Sequence, residues 1–157
     1  MGEAERMNTD RTERIELTAL CMVCRGEELL LQNRVKKDWQ GYTFPGGHVE
    51  PGESIVDSVI REMKEETGLT VRDLRLCGVK HFPIPDGRYL VFLYKTDSFE
   101  GELCSSDEGE MKWISRKDLP NSKTVGDFMD LLSVFDRDDL TEFQYVVNGG
   151  EWDVILK

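Results

Sequence analysis

One segment in the middle of the chain constrains the fold more than any other, because it places three glutamates at the border of an amphipathic helix. Residues 54–67 are predicted to form this helix, since Ser54 can cap its start and Gly68 suits the left-handed position after its end. At about 100° per residue, the apolar side chains cover an arc of about 140°; they are Ile55, Val56, Val59, Ile60 and Met63. Glu62, Glu65 and Glu66 fall beside and partly inside this arc, not opposite to it. The helix therefore packs against a core while three carboxylates stay close to its buried edge.

Three carboxylates on one helix arc repel one another. At about 5 Å and an effective dielectric constant of about 20, each pair costs roughly 3 kcal/mol. Protonation, salt bridges from Arg61 and Lys64, or a divalent cation would relieve this repulsion. Carboxylate oxygens are the ligands that Mg²⁺ and Mn²⁺ prefer. The helix alone leaves a metal site and a charged helix edge as alternatives.

A loop rich in glycine and proline precedes the helix. Residues 44–52 read FPGGHVEPG, which continues neither a strand nor a helix. Glycines let backbone carbonyls and amides approach a ligand closely. An ordinary strand-to-helix connection is the alternative, but it needs glycine less often, so the loop favours a ligand site.

The remaining pattern predicts mostly strands. They are expected at 17–24, 29–32, 39–44, 69–81 with a break near Gly78, 89–96, 111–114, 142–147 and 152–156. A turn is expected at 83–87, an acidic loop at 97–110, a short helical turn at 115–120 and a second helix at 125–135. This order predicts an α/β (α+β) protein with a mixed sheet flanked by helices. Residues 1–14 are predicted to be a flexible leader and 15–157 a single domain.

Composition and charge exclude several classes of protein. The chain has 31 Asp and Glu against 20 Lys and Arg, which gives a net charge of −11. Such a surface repels a phosphate backbone, so a general nucleic-acid binder is not expected. No apolar run reaches the roughly 20 residues of a membrane-spanning helix, and the polar start does not resemble a signal peptide, so a cytoplasmic location is expected. Cys21 and Cys24 are spaced as CxxC, but no second pair completes a zinc site.

Residues 47–69 carry a recognisable motif. Their sequence, GHVEPGESIVDSVIREMKEETGL, resembles the Nudix box Gx5Ex7REUxEExGU, where U is an apolar residue. Every specified position matches; these are Gly47, Glu53, Arg61, Glu62, Met63, Glu65, Glu66, Gly68 and Leu69. The flanking segments, FPGG before the box and MKWI at 111–114 after it, resemble the MutT-like branch. The resemblance implies the Nudix fold, a mixed sheet sandwiched between α-helices.

The resemblance also implies a set of metal ligands and supporting residues. Glu62, Glu65, Glu66 and the carbonyl of Gly46 would bind Mg²⁺, with Mn²⁺ as a substitute. Glu53 and Arg61 would form an ion pair that ties the loop to the helix. A further catalytic and metal-binding glutamate would come from the acidic loop, where Glu108 is the better candidate and Glu110 the second.

The activity implied is hydrolysis of a nucleoside diphosphate linked to another group. A nucleoside triphosphate, possibly oxidised, is favoured as substrate, with a monophosphate and pyrophosphate as products. An ADP-ribose or dinucleoside polyphosphate pyrophosphatase is the first alternative, and a non-catalytic nucleotide-binding module is the second. The general base stays open between Glu65 and the loop glutamates. The expected partner is a small nucleotide, with no nucleic acid and no membrane, and the protein is expected to be a monomer or a homodimer.

Candidate substrate contacts lie outside the motif. Arg34 and Lys36, with Lys37 beside them, form the main basic cluster and are candidates for phosphate contacts, with a solvated loop as the alternative. Trp39 is a candidate for stacking on a base. Asn121 and Asp127 fall in the region that lines the purine pocket of mammalian MutT-like enzymes. The aromatic residue expected two positions before Asp127 is Val125 here, so a preference for 8-oxo-guanine does not follow.

Overall fold

The structure is a computed structural model that describes residues 10–157. Its strands are β1 (Arg14–Arg25), β2 (Glu28–Arg34), β3 (Gly41–Thr43), β4 (Gly46–His48), β5 (Thr70–Arg72), β6 (Arg75–Ile84), β7 (Gly87–Thr96), β8 (Ser98–Glu100), β9 (Gly109–Ser115), β10 (Glu142–Asn148) and β11 (Glu151–Leu156). Its helices are α1 (Ile55–Thr67), a 3₁₀ helix (Arg116–Asn121) and α2 (Phe128–Asp136).

The long strand β1 joins the parts of the main sheet. It pairs in parallel with β7 from Arg14 to Val23 and antiparallel with β4 from Thr18 to Leu20. Its last residues pair with β2, and β2 also pairs with β3 and with β9. On the other side of β7 the order is β6, β10 and β11, so the sheet mixes parallel and antiparallel strands. Strands β5 and β8 form a separate pair.

The two helices cover opposite faces of this sheet. Val59 and Met63 of α1 lie in a buried cluster with Ala19, Cys21 and Leu30. The apolar side of α2 lies in a second cluster, which includes Leu29, Leu31, Phe44, Phe128, Leu131 and Phe135. Alternate residues of β1 and β2 enter the two clusters, as expected where a strand is covered on both faces. The predicted α/β architecture, a mixed sheet between helices, is confirmed.

Several boundaries differ from the predictions. The strand expected at 69–81 is interrupted at Asp73, which has a φ of 54°, and its second part contains a bulge between Leu76 and Gly78. Strand β6 then continues to Ile84, so the turn shrinks to two residues. The acidic loop contains β8, and the second helix starts at Phe128, three residues later than expected.

Residues 1–9 of the predicted leader lie outside the described residues, and Arg14, its last residue, belongs to β1. All four cysteines are free thiols, and Cys21 and Cys24 pack into the clusters on opposite faces of the sheet. In residues 10–157, the helices are too short or too polar to cross a membrane.

Candidate metal and nucleotide site

The start and end of α1 fix the three glutamates at the edge of the core. The side chain of Ser54 accepts a hydrogen bond from the amide of Asp57 at 3.2 Å, and Gly68 ends the helix with a φ of 79°. Met63 is fully buried between the glutamate positions. The Glu62 side chain is only 15% exposed, whereas that of Glu65 is 56% exposed. The helix therefore presents one carboxylate from the core edge and another from the surface.

Arg61 connects the loop to the glutamates. Its guanidinium donates to both oxygens of Glu53 at 2.9 and 3.0 Å, so the expected ion pair is present. It also donates to Glu62 at 3.0 Å, to Glu65 at 3.3 Å and to the His48 carbonyl at 3.1 Å. The hydrogen bonds from Arg61, followed by that from the Glu50 amide, lower the pKa of Glu53 to about 2. The positive charge of Arg61 thus offsets much of the repulsion among the glutamates of α1 that the sequence pattern implies.

Glu62 lies against the backbone of the glycine loop. A Cβ added at Gly47 would come within 2.3 Å of the Glu62 carboxyl carbon, so only glycine leaves room for this carboxylate. Burial raises the pKa of Glu62, and the hydrogen bond and charge of Arg61 offset this effect only in part. An additional cation would therefore stabilise the charged form of this buried carboxylate.

Glu66 is held by two side chains that the sequence analysis missed. Ser106 donates to Glu66 Oε2 at 2.5 Å, and Gln32 approaches the same oxygen through its amide nitrogen at 3.4 Å. Ser106 comes from the acidic loop and Gln32 from β2, which lies under α1. No local signal in the sequence marks either residue, because both contacts are long-range.

The donor set fits a magnesium ion. Three carboxylates on one arc are hard oxygen ligands, as is the carbonyl of Gly46, the residue before Gly47, and the recess at Gly47 admits a carboxylate where a Cβ would stand. Within residues 10–157, no three His, Cys, Asp or Glu side chains yet converge as a metal-binding group. Arg61 bonds to Oε1 of Glu62 and to Oε2 of Glu65, so it does not use the second oxygen of either carboxylate.

The two loop glutamates lie in different places. The amide of Glu108 donates to Ser106 Oγ at 3.2 Å, which puts Glu108 two residues from the contact to Glu66. Glu110 pairs with Asn33 in the sheet, next to Met111, which packs in the cluster under α1. Because neighbouring strand residues alternate, Glu110 lies on the face away from α1. Glu108 is therefore the loop carboxylate closer to the helix glutamates.

The predicted substrate residues divide between two surfaces. Arg34 and Asn121 line a groove of about 880 Å³ beside β3, β9 and the 3₁₀ helix, and none of the three helix glutamates lines it. Lys36 is exposed and is not part of this groove. Arg34 also donates to the Trp39 carbonyl at 3.2 Å and lies 4.8 Å from the centre of the Trp39 ring. The Trp39 ring also lies 5.2 Å from the ammonium group of Lys80 on β6.

The second surface is aromatic and lies on β6, β7 and the hairpin of β10 and β11. Phe82 stacks on Tyr89 with ring centres 4.8 Å apart, and the Tyr89 ring lies 6.4 Å from His48 of the glycine loop. Tyr145 donates from its hydroxyl to Asp127 at 2.7 Å. Asp127 thus belongs to this surface, which extends to the loop beside Gly47.

Comparison with known proteins agrees with this geometry. Residues 14–132, well over half of the chain, match the model of the NUDIX domain. An uncharacterized Nudix hydrolase from Bacillus subtilis is 37% identical over 107 residues, which are 64% of this chain and 66% of that protein. An ADP-ribose pyrophosphatase from Methanocaldococcus jannaschii is 32% identical over 114 residues, which are 67% of this chain and 68% of that protein.

Longer relatives and solved structures extend the comparison. The NAD-capped RNA hydrolase NudC of Pseudomonas putida is 32% identical over 68% of this chain, but the match spans only 39% of that enzyme. The crystal structure of a MutT protein from Bacillus halodurans superposes with a TM-score of 0.73 and 29% identity, covering 90% of this chain and 97% of that one. The protein therefore belongs to the Nudix family, whose members are pyrophosphohydrolases acting on phosphoanhydride bonds.

Proposed function

We propose that the protein hydrolyses a phosphoanhydride bond of a nucleoside diphosphate derivative and requires Mg²⁺. The observation that carries this proposal is the position of Glu62, Glu65 and Glu66 on one edge of α1, with Arg61 and Ser106 orienting their carboxylates. Glu62, Glu65, Glu66 and the Gly46 carbonyl would hold the ion. When bound, Mg²⁺ neutralises the pyrophosphate and lowers the pKa of a bound water.

The protein's own residues position the glutamates and accept a proton. Arg61 anchors the helix to the glycine loop through Glu53 and the His48 carbonyl, which fixes the distance between the loop and the glutamates. Arg61 contacts Glu53, Glu62 and Glu65, and the side chain of Glu65 is the most exposed of the three. Either Glu65 or Glu108 accepts the proton of the attacking water.

A nucleoside triphosphate is the proposed substrate, with a monophosphate and pyrophosphate as products. The likeness to the Bacillus halodurans MutT protein over 90% of this chain supports this choice. An ADP-ribose type of substrate is the second candidate, which the similarity to the Methanocaldococcus jannaschii enzyme supports.

A panel of substrates with Mg²⁺ tests the proposal. Pyrophosphate release is expected from at least one nucleoside triphosphate, whereas a preference for ADP-ribose with AMP as product would favour the second candidate. Glu65→Gln and Glu66→Gln should each lower kcat/KM by about a hundredfold or more, while circular dichroism stays unchanged. Glu100→Gln, on the separate strand β8, is the matched control and should keep full activity. Tight nucleotide binding without turnover, or full activity in both glutamine variants, would contradict the proposal.

A further inference from the structure

Thr43 on β3 carries a buried hydroxyl that has no hydrogen-bond partner. Within residues 10–157, its Oγ1 is the only fully buried side-chain nitrogen or oxygen in this situation. The residue is 2% exposed. Nearly all buried polar groups in folded proteins have a partner, and a group without one costs free energy, so this hydroxyl requires an explanation.

Thr43 lies on the face of the sheet that α1 covers. Its neighbours in the chain, Tyr42 and Phe44, pack in the buried cluster under α2. Because adjacent strand residues point to opposite faces, Thr43 points to the other face. In the antiparallel pairing of β2 with β3, Thr43 stands directly opposite Gln32, which approaches Glu66 of α1. The hydroxyl is therefore buried on the same side of the sheet as the proposed metal ligand Glu66.

Gln32 connects Thr43 to Glu66. The Cβ atoms of directly opposed residues in antiparallel strands lie about 4.5–5.5 Å apart, which brings the Thr43 hydroxyl within reach of the Gln32 amide, directly or through one water. Gln32 is itself 5% exposed, and its amide nitrogen lies 3.4 Å from Glu66 Oε2. This distance exceeds the usual range of about 2.7–3.2 Å, so the contact depends strongly on the direction of the amide.

The direction of the Gln32 amide decides whether it attracts or repels Glu66. With its NH₂ group toward the carboxylate, it donates a hydrogen bond. With its carbonyl oxygen in that position, two acceptors face each other. When the NH₂ group points to Glu66, the carbonyl oxygen points away and requires a donor of its own. In the part of the chain that the structure describes, the Thr43 hydroxyl is a buried donor that no other group uses.

We propose that Thr43 is a positioning residue for the metal site at Glu66. Its hydroxyl donates to the carbonyl oxygen of Gln32, directly or through one bound water, and so holds the NH₂ group toward Glu66. Oε2 of Glu66 is then held by Ser106 and Gln32, and Oε1 remains for the metal ion. The inference rests on the proposed function in one respect, because it takes Glu66 to be a metal ligand.

The affinity for Mn²⁺ tests the inference without any substrate. Electron paramagnetic resonance of the free ion measures the Kd of the unaltered protein and of Thr43→Val, which removes the hydroxyl and keeps the branched shape. The Kd is expected to rise by about tenfold, since groups behind metal ligands tune the affinity to this extent. An unpaired hydroxyl without this role predicts a different result, namely a higher Tm in Thr43→Val and an unchanged Kd.

Two further variants separate the hydroxyl from the packing around it. Thr43→Ser keeps the donor and should retain the Kd of the unaltered protein. Thr96→Val is the matched control, because Thr96 is also buried but its hydroxyl donates to the Arg72 carbonyl. It should lower Tm, since that carbonyl loses its donor, and leave the Kd for Mn²⁺ within about twofold. If Thr43→Val fails to fold, the comparison of Thr43→Ala with Thr43→Ser decides the question.

A double variant tests whether Thr43 acts through Gln32. Gln32→Met keeps the length of the side chain and removes the amide, so it should weaken Mn²⁺ binding by itself. Adding Thr43→Val to Gln32→Met should change the Kd by less than about twofold, because the hydroxyl then has no amide to orient. Losses that add up in the double variant would overturn the proposed connection.

The outcomes distinguish this inference from the proposed function. An unchanged Kd in Thr43→Val, or a loss that Thr43→Ser does not restore, would overturn the inference; as long as Glu66→Gln weakens Mn²⁺ binding, the proposed metal site would stand. Mn²⁺ binding that Glu66→Gln leaves unaltered would reject the metal site and this inference with it. A tenfold loss in Thr43→Val in a protein that hydrolyses no nucleotide would support the inference and reject the proposed activity.

Discussion

Glu66 shows how much of the site depends on residues far away in the sequence. The motif places Glu66 on the correct edge of α1 by its spacing alone, but its orientation comes from Ser106, which is 40 residues away, and from Gln32 on β2. Helical periodicity reports which residues share a face and contains no information on what lies across from that face. The position of Glu66 on the edge of α1 could therefore be predicted from the sequence, and the hydrogen bonds that orient its carboxylate could not.

Replacing Ser106 tests this support directly. Ser106→Ala removes the hydrogen bond at 2.5 Å and leaves Glu66 with the longer contact from Gln32. We therefore expect kcat/KM to fall by about 10- to 100-fold and the Mg²⁺ concentration needed for half-maximal activity to rise. Steady-state kinetics over a range of Mg²⁺ concentrations measure both effects. Ser133→Ala is the matched control, because the hydroxyl of Ser133 donates to the Met129 carbonyl within α2, away from Glu66. An unchanged Mg²⁺ dependence in Ser106→Ala would contradict this positioning role.

The burial of Lys80 predicts an unusual dependence of the free energy of unfolding on pH. Burial lowers the pKa of Lys80 to about 8 from its usual 10.5. Below pH 8 the amine is charged in both the folded and the unfolded states, and the folded protein bears the full cost of burying the charge. Between about pH 8 and 10.5 the unfolded chain binds more protons, so the contribution of Lys80 to the free energy of unfolding rises, by roughly 3 kcal/mol at most.

Urea unfolding of the unaltered protein and of Lys80→Met measures this contribution. Other ionisable groups are common to both proteins and largely cancel in the difference. Tyr145 faces Lys80, and burial together with its hydrogen bond to Asp127 raises the pKa of the tyrosine, so it stays neutral across this range. As the pH rises above 8, the free energy of unfolding of the unaltered protein should increase relative to that of Lys80→Met. A difference that stays constant from pH 7 to pH 10 would contradict the prediction.

At the scale of elements, the predictions succeeded where the signals are local. Helix α1 ends at Thr67 as predicted, because its capping serine and its C-terminal glycine are both sequence-local. The start of α2 is later than predicted because Thr124 and Val125 pair with Tyr42 of β3 and because Asp127 has a φ of 61°, which a right-handed helix does not allow. Strand β8 was missed because three residues pair with β5 inside an otherwise acidic loop. These errors share one cause, a tertiary contact that overrides a local pattern.

The two adjacent glycines of the loop should respond differently to the same substitution. The three atoms nearest to a Cβ at Gly47 belong to the end of the Glu62 side chain, at 2.3 to 2.6 Å, and this side chain can rotate away. A Cβ at Gly46 would meet the Ala19 carbonyl at 2.1 Å, and this backbone belongs to the pairing of β1 with β4. Gly47→Ala is therefore expected to displace Glu62, a proposed metal ligand, and Gly46→Ala to disrupt the sheet.

Kinetics and urea unfolding of both variants separate these effects. Gly47→Ala should lose about a hundredfold in kcat/KM, since small displacements of a catalytic group are costly, while its free energy of unfolding changes by less than about 1 kcal/mol. Gly46→Ala should lose about 2 kcal/mol or more of stability. Equal losses of stability in the two variants would show that Gly47 is needed only for the backbone conformation of the loop.

At the scale of the whole molecule, a net charge of −11 and a cluster of three glutamates both favour cations, and the two effects need to be separated. General screening acts on the entire surface and depends on ionic strength, whereas a bound ion acts at one place. The burial of Glu62 and the oxygen ligands around it favour a specific site. A site of this kind stabilises the folded state by mass action, whatever the substrate.

Thermal unfolding with and without Mg²⁺ measures this stabilisation independently of activity. At a Mg²⁺ concentration of about 100 times Kd, the folded state gains about 2.7 kcal/mol, which corresponds to a rise in Tm of about 5–10 °C for a chain of this size. NaCl at the same ionic strength reproduces the screening and should raise Tm much less. In Glu66→Gln the response to Mg²⁺ should fall to that of NaCl, because the cluster has lost one of its charges. An equal rise in both salts, or an unaltered response in Glu66→Gln, would show that Mg²⁺ acts on the surface as a whole and that the glutamates of α1 do not form a metal site.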